Sequence, residues 1–150
     1  MSKIAVLGTG SWATALSRVL IDNQNEIMMY GIDQEQIDDI NFNHQNEAFF
    51  HNISLESEIK ATNNLEEALM DMDYLLITIP TQFVKETLEQ VKPLIKKKIT
   101  VINAAKGFDL GTNMRMSDTI RSVLDENLIN PVVSLIGPSH AEEVVVRMLT

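Results

Sequence analysis

The chain has no cysteine in its 150 residues, so it holds no disulfide and no thiolate metal site. That fits a reducing cytoplasm. Cations are also scarce: 12 Lys and Arg stand against 21 Asp and Glu, a formal net charge of −9. A surface of that sign repels a phosphate backbone, so nucleic acid is not an expected partner. A small phosphorylated molecule is not excluded, because a few local donors can hold it against the global field. No apolar run approaches a membrane span: Tyr74-Leu75-Leu76-Ile77-Thr78-Ile79-Pro80 is among the longest, and a bilayer needs roughly twenty residues. The N-terminus runs straight into a strand-like segment and lacks the pattern of a signal peptide. The 3 histidines, His44, His51 and His140, show no ligand spacing with carboxylates, so no metal is expected. There is no internal repeat, low-complexity tract or linker. With 45% hydrophobic residues, the expectation is one soluble globular domain, long enough to bury a core.

What is present is alternation. Ile4–Leu7 reads as a short buried strand. Trp12 to Asn23 reads as a helix with Ala13, Leu16, Val19 and Leu20 on one side. Glu26–Tyr30 is a second strand, and Gln34 to His44 a second helix with Ile37, Ile40 and Asn41 sharing a face. Asn46 to Thr62 is less regular. Leu65–Met70 is a short helix, with Asn64 and Glu67 spaced as a capping box. Strands follow at Tyr74–Ile79, Thr100–Ala104 and Val132–Ile136, and helices at Gln82–Val91, stopping near Pro93, and Met114–Leu124. A last helix starts after Pro138, and Lys96-Lys97-Lys98 reads as a solvated turn. Strands alternating with helices imply βαβ units. The expected fold class is α/β: a Rossmann-like, doubly wound, mainly parallel sheet with helices on both faces.

Between the first strand and first helix lies Gly8-Thr9-Gly10-Ser11-Trp12-Ala13, a Gly-x-Gly-x-x-Ala turn in the setting where that pattern carries meaning. Gly8 permits the tight turn, and Gly10, without a Cβ, lets backbone approach a pyrophosphate. The third position needs only a small residue for helix–strand packing, which Ala13 satisfies. The phosphates would sit on free N–H groups at the helix start. At the end of the second strand, Asp33 can accept a hydrogen bond from a ribose 2′-hydroxyl, and it also has N-cap spacing with Gln36. No Arg or Lys lies between Arg18 and Lys60, so nothing nearby in sequence can pair a 2′-phosphate. NAD is therefore expected to be preferred over NADP.

Two further segments fall at carboxyl ends of strands, where open α/β sheets bind ligands. Asn103-Ala104-Ala105-Lys106-Gly107 offers a lysine with three donors to a phosphate or carbonyl oxygen, although a surface lysine beside a turn glycine has the same pattern. Ile136-Gly137-Pro138-Ser139-His140-Ala141-Glu142-Glu143 offers a glycine for close approach and a serine that opens a helix, with Ser139 and Glu142 at capping-box spacing. His140 has no identifiable carboxylate partner to make it a general base.

Taken in order, KIAVLGTGSWATAL, YGID, ATNNLEEAL, TIPTQ, NAAKG and IGPSHAEEV resemble the bacterial NAD(P)-dependent glycerol-3-phosphate dehydrogenases from Lys3 to Thr150. The resemblance implies reversible hydride transfer between dihydroxyacetone phosphate and sn-glycerol 3-phosphate, supplying glycerophospholipid synthesis in the cytoplasm. It places Ser11, Trp12, Ile32, Phe49, Lys106 and Ala141 at cofactor positions, which join Gly8, Gly10 and Asp33 from the loop and strand end, and Pro80, as the expected cofactor-binding set. Lys106, Gly137 and Ser139 fall at substrate positions. It implies no membrane partner, and a homodimer of the full-length enzyme is compatible with it.

Departures from the family pattern are Ala13 for Gly, Ile32 for a polar residue, Phe49 for Tyr, and Ile136 for Ser. The Ile32 change supports weaker 2′-phosphate binding, and Ile136 sets an apolar side chain near the substrate crevice. Family members carry a helical second half that binds glycerol phosphate and bears the lysine taken as proton donor or acceptor. The chain is thus expected to be the cofactor-binding half, with no catalytic residue of its own beyond a supporting Lys106, and inactive alone. Other readings are a nucleotide-sensing module without chemistry, which would not need Lys106 and the Gly137-Pro138-Ser139 turn together, and a dehydrogenase for another hydroxy acid.

Overall fold

The computed structural model describes residues 1–148. Six strands form one parallel sheet in the order β3-β2-β1-β4-β5-β6: β1 Lys3–Leu7, β2 Glu26–Tyr30, β3 Lys60–Thr62, β4 Tyr74–Ile77, β5 Thr100–Asn103 and β6 Val133–Ser134. This is the strand order of a Rossmann sheet, with its reversal between β1 and β4. The connecting helices are α1 Ser11–Asp22, α2 Gln34–Asp38, α3 Leu65–Ala68, α4 Thr81–Val91, α5 Met116–Val123 and α6 Ala141–Val145.

The period of two in the strands divides the core into two layers. Ala5 and Leu7 of β1, Leu75 and Ile77 of β4 and Val101 of β5 face α3, α4 and α5, where Val84, Leu88, Met116 and Ile120 close one core. Ile4, Val6, Ile27, Met29 and Leu76 face the opposite way, onto Ala13 and Leu16 of α1, Ile37 of α2 and Ile40 just beyond it. Because both faces are covered, β1 reads as an unbroken apolar run rather than an alternation. A third, smaller cluster joins Ala15 of α1 to Phe50, Val144 and Val145, so α6 lies on α1 rather than on the sheet.

Several boundaries move. The Tyr74–Ile79 strand ends at Ile77, because Thr78 turns back and gives both its N–H and its Oγ1 to the Leu7 carbonyl. The helix expected over Gln34 to His44 is α2 continued by a π-helical turn, Asp39–Asn43, and closed by His44 in the left-handed region at φ 53°. The Asn46 to Thr62 stretch hides β3, an edge strand of only 3 residues. Asn41, expected to share a core-facing side with Ile37 and Ile40, instead grips that edge. Its Nδ2 donates to the Ala61 carbonyl at 2.8 Å and its Oδ1 accepts from Ala61 N–H at 2.9 Å. A carboxamide thus replaces the next strand and blunts the edge. The Val132–Ile136 strand shrinks to 2 exposed residues, and the helices expected from Met114 and Leu65 shorten to Met116–Val123 and Leu65–Ala68. On α1, Val19 is exposed rather than buried, while Thr14, Ser17 and Arg18 are buried because α6 and its neighbours cover that side.

Candidate functional site

The β1–α1 loop is built by close backbone approaches. Gly8 has φ +125°, and a Cβ there would lie 2.7 Å from Thr78 Oγ1. Its N–H donates to the Tyr30 carbonyl at 2.8 Å, tying the loop to the end of β2. Thr9 is buried and packs on Gly31, where a Cβ would fall 2.5 Å from the Thr9 side chain. Thr9 Oγ1 donates to Gln36 Oε1 at 2.9 Å, and Gln36 Nε2 donates to Asp33 Oδ2 at 3.1 Å. Ala13 is buried against β1 and β4, the small-residue packing expected of it.

Gly10 differs from Gly8. Its φ is −78°, and the nearest atom to an added Cβ is Phe49 Cζ at 3.9 Å. Nothing within the protein demands glycine here. The open space in front of Gly10, together with an α1 start that no side chain caps, leaves the first N–H groups of a 12-residue helix turned to solvent.

The carboxyl ends of β1, β4 and β5 meet in a cleft of about 370 Å3 lined by Ser11, Trp12, Pro80, Lys106, Ser139 and Ala141, among others. Six residues nominated from separate motifs therefore share one wall. Pro80 opens α4 with φ −55°. The exit from β5 is shaped by Asn103 Oδ1, which accepts from Ala105 N–H at 3.1 Å, and by Gly107 at φ +115°. Between them Lys106 reaches across the cleft: its Nζ donates to the Ser139 carbonyl at 3.1 Å and lies 4.9 Å from the centroid of the Trp12 ring. An ammonium over an indole face is electrostatically favourable. Trp12 Nε1 is buried and has no hydrogen-bond partner in the described structure. Gly137 belongs to an adjoining hollow of about 400 Å3 that shares Trp12, Lys106 and Ser139 and has Leu135 and Ile136 in its wall. Ile136 is 89% exposed.

The capping box expected at Ser139 and Glu142 is not formed. α6 begins at Ala141, His140 occupies the cap position, and no side chain caps the helix. Ser139 stands one residue before that cap position, and its carbonyl, not its hydroxyl, is what Lys106 engages in the cleft. Asn64, by contrast, caps α3 by accepting from Glu67 N–H at 3.2 Å. The return half of that box is diverted: Glu67 Oε2 accepts from Thr62 Oγ1 at 2.5 Å instead.

On the far side of the loop, Asp33 caps α2, accepting from the N–H groups of Glu35 and Gln36 at 3.0 and 3.3 Å. With Asp38, Asp39, Glu47 and Asn46 it lines a hollow of about 460 Å3 that contains no Lys or Arg. Ile32 is 90% exposed and lines none of these three hollows. Phe49 is half-exposed beside Gly10. The two cations that bracket the gap in sequence are accounted for. Arg18 is buried, forks onto Glu56 at 2.8 and 3.0 Å and also donates to the Val145 carbonyl. Lys60 pairs with Met28 at the start of β3, away from the carboxyl end that Thr62 and Tyr30 mark.

α6 is fastened by charge. Arg147 pairs with Asp22 Oδ2 at 2.7 Å and Glu56 Oε1 at 2.6 Å, so Glu56 lies between two guanidinium groups. The hydrogen bonds from Arg18 and then Arg147 hold its carboxyl well down, at about 2. Gly31, the bond from Gln36 to Thr9, Asn46 and the Arg18–Glu56–Arg147 cluster went unnoticed in the sequence, where Gln36 showed only as a cap partner of Asp33. A glycine at the end of β2 was a visible sign for the first, and the partners of the others lie 27 to 127 residues away.

The family described as NAD-dependent glycerol-3-phosphate dehydrogenase N-terminus matches residues 3–150. A Streptococcus agalactiae serotype V protein named glycerol-3-phosphate dehydrogenase [NAD(P)+] is 45% identical over 148 residues, covering 99% of this chain and 44% of that one. Its namesake from Bacillus cereus strain G9842 is 43% identical over 150 residues, 100% of this chain and again 44% of its own length. The chain thus spans less than half the length of the curated relatives it matches. Among solved structures, glycerol-3-phosphate dehydrogenase from Coxiella burnetii superposes with a TM-score of 0.89 at 27% identity, over 99% of this chain and 45% of that one. The Plasmodium falciparum glycerol-3-phosphate dehydrogenase gives 0.83 at 29%, over 97% and 43%. A GDP-mannose dehydrogenase, at 13% identity and a TM-score of 0.71, shares the fold.

Proposed function

The chain belongs to the NAD-dependent glycerol-3-phosphate dehydrogenase family, and from that premise we propose that residues 1–150 are the dinucleotide-binding domain of an enzyme that interconverts dihydroxyacetone phosphate and sn-glycerol 3-phosphate. The observation that carries this reading is the single cleft in which Ser11, Trp12, Pro80, Lys106, Ser139 and Ala141 meet at the carboxyl ends of the strands. Open α/β sheets bind their ligands at that place.

The residues present fit a dinucleotide. The uncapped start of α1 offers N–H groups and a positive dipole end to a pyrophosphate, and the space before Gly10 admits it. Phe49 flanks the same opening, and Asp33, held by Gln36 and its own cap bonds, presents a carboxylate at the end of β2 for a ribose hydroxyl. The acid-lined hollow beside Asp33 repels a 2′-phosphate, which favours NAD over NADP. A bound nicotinamide would supply or accept the hydride. Lys106 brings a full charge and three donors to the cleft, where it can orient the substrate's phosphate or polarise its carbonyl oxygen. Gly137 and Ser139 line the adjoining hollow and supply the substrate side there. The proton that accompanies the hydride is assigned to a lysine of the family's helical second half, outside residues 1–150. No nucleic acid is involved, given the net charge of −9. No helix among the described residues is long and apolar enough to cross a membrane. The cytoplasm, where glycerophospholipid precursors are made, is the proposed compartment.

The test uses the single tryptophan of the chain, which sits in the first turn of α1 and lines the cleft. NADH and NADPH titrated into the protein should each be followed by Trp12 fluorescence, with saturable quenching and tighter binding of NADH expected. This chain should also show little or no NADH oxidation with dihydroxyacetone phosphate. Turnover at an ordinary enzymatic rate would overturn the assignment of the proton-transfer lysine to a second half, and absence of binding would overturn the reading of the cleft.

A further inference from the structure

Asn46 lies in the stretch without recognisable periodicity, yet it is only 1% exposed. Its Nδ2 donates to the Thr9 carbonyl and to Thr14 Oγ1, each at 2.8 Å. Thr14 passes the connection on: its Oγ1 donates to the Gly10 carbonyl at 2.8 Å, alongside its own N–H at 3.0 Å. Both carbonyls are therefore pinned toward the protein interior. A trans peptide is planar, with C=O and N–H pointing opposite ways, and the described chain contains no cis bond. An inward Thr9 carbonyl sends the Gly10 N–H outward, and an inward Gly10 carbonyl does the same for Ser11 N–H. Neither N–H donates to any group of the described residues.

The orientation of the carboxamide is dictated by its partners. Turned over, Asn46 would set Oδ1 against the Thr9 carbonyl and against a hydroxyl whose proton is already committed to Gly10. In the orientation it takes, Oδ1 is buried without a partner. A leucine of similar size would avoid that cost, but would leave the Thr9 carbonyl bare. The backbone of Asn46 adds a second hold: its carbonyl accepts from Phe49 and Phe50 N–H at 3.0 and 2.9 Å, fixing the turn that brings Phe49 beside Gly10.

We propose that Asn46 is a positioning residue for the dinucleotide pyrophosphate, whose carboxamide sets the Thr9–Gly10 and, through Thr14, the Gly10–Ser11 peptides so that their N–H groups face the ligand. The proposal rests on the reading of this loop as the cofactor's phosphate cradle. It assigns Asn46 no contact with the cofactor.

Asn46→Asp keeps the shape and exchanges the double donor for an acceptor whenever the new carboxyl is ionised. Asp33, Glu35, Asp38, Asp39 and Glu47 line the hollow it shares, His44 stands two residues before it, and on α1 Arg18 is engaged by Glu56. Burial and those acids favour the protonated acid, which can still donate to Thr9, at mildly acid pH. NADH affinity of the Asn46→Asp protein, read by Trp12 quenching, should approach that of the wild type near pH 5 and fall about 10- to 100-fold below it near pH 8. The wild type should hold its affinity across that range, and circular dichroism at each pH should show the variant folded. A residue that merely supported the fold would lower the melting temperature without giving NADH affinity this pH slope. Should Asn46→Asp unfold as it ionises, Thr14→Val serves in its place: it removes one acceptor of Asn46 and the hydroxyl on Gly10, and should weaken NADH binding several-fold while the protein stays folded. Wild type that binds NADH while a folded variant binds equally well at pH 8 overturns the role of Asn46 alone. Wild type that binds no NADH overturns the cradle reading together with it.

Discussion

Glycine has three different reasons to stand near the loop. Gly8 is demanded by its φ of +125° and by Thr78; Gly31 is demanded by Thr9; Gly10 is demanded by nothing in the protein. Alanine at each position should separate these roles. Gly31→Ala must displace the Thr9 side chain from 2.5 Å, and should cost about 1–3 kcal/mol of stability, checked by urea unfolding. Gly10→Ala should leave the unfolding curve within about 1 kcal/mol of wild type while weakening NADH binding, because its Cβ meets only Phe49 at 3.9 Å inside the protein. Equal loss of stability at both positions would contradict this division. Lys106→Ala removes the only charge that bridges Trp12 and Ser139 in the described cleft. It should leave stability nearly unchanged, since the ammonium is exposed, and should reduce binding of a phosphorylated substrate to the whole enzyme by about 10-fold or more.

At the scale of elements, α6 is the one most dependent on distant partners. It has 5 residues and no side-chain cap, too short to persist alone in water. Val144 and Val145 bury against α1, and Arg18, Glu56, Arg147 and Asp22 form the polar fastening around them. Glu56 is held down to about 2 from an ordinary 4.5, chiefly by Arg18. A depressed carboxyl stabilises the fold fully above its unfolded pKa, and that contribution fades as pH falls toward the folded value. Unfolding free energy should thus decline between about pH 4.5 and about pH 2. Glu56→Gln should flatten part of that decline and cost about 1–3 kcal/mol at pH 7, as measured by urea unfolding at stepped pH. β3 makes a parallel case. Asn41→Ala removes both bonds to Ala61, and should speed hydrogen exchange at the Ala61 N–H while leaving the core strands protected.

For the molecule as a whole, the sheet reversal between β1 and β4 opens a crevice, and every segment that resembles the dehydrogenase motifs returns to that end. A ligand that binds only the folded chain raises its melting temperature by mass action. NADH in large excess should therefore stabilise the protein more than equal NADPH, by differential scanning fluorimetry. The reverse order would refute the argument from the acid-lined hollow at Asp33. The fold class, the parallel sheet, the tight turn at Gly8, the caps at Asp33 and Asn64 and the small-residue packing of Ala13 were all legible in the linear sequence. Each is a local rule: a period of two or 3.6, a spacing of three, a residue that alone tolerates a given φ. β3 and β6 were poorly legible because 3 and 2 residues are too few to show any period.

The sequence by itself determined the alternating order of strands and helices, the Gly-x-Gly-x-x-Ala turn, and the lack of any cation between Arg18 and Lys60. Those properties depend on neighbours in the chain, and no packing partner can change them. Only the tertiary structure decided that Ser139 does not cap α6, that Asn41 serves as the missing neighbour of β3, and that Arg18 is spent on Glu56. Only it brought the Asn46 carboxamide, 37 residues from Thr9, onto the Thr9 carbonyl. The reason is physical: a hydrogen bond between distant residues has no signature in local periodicity, and the fold alone brings its donor and acceptor within reach.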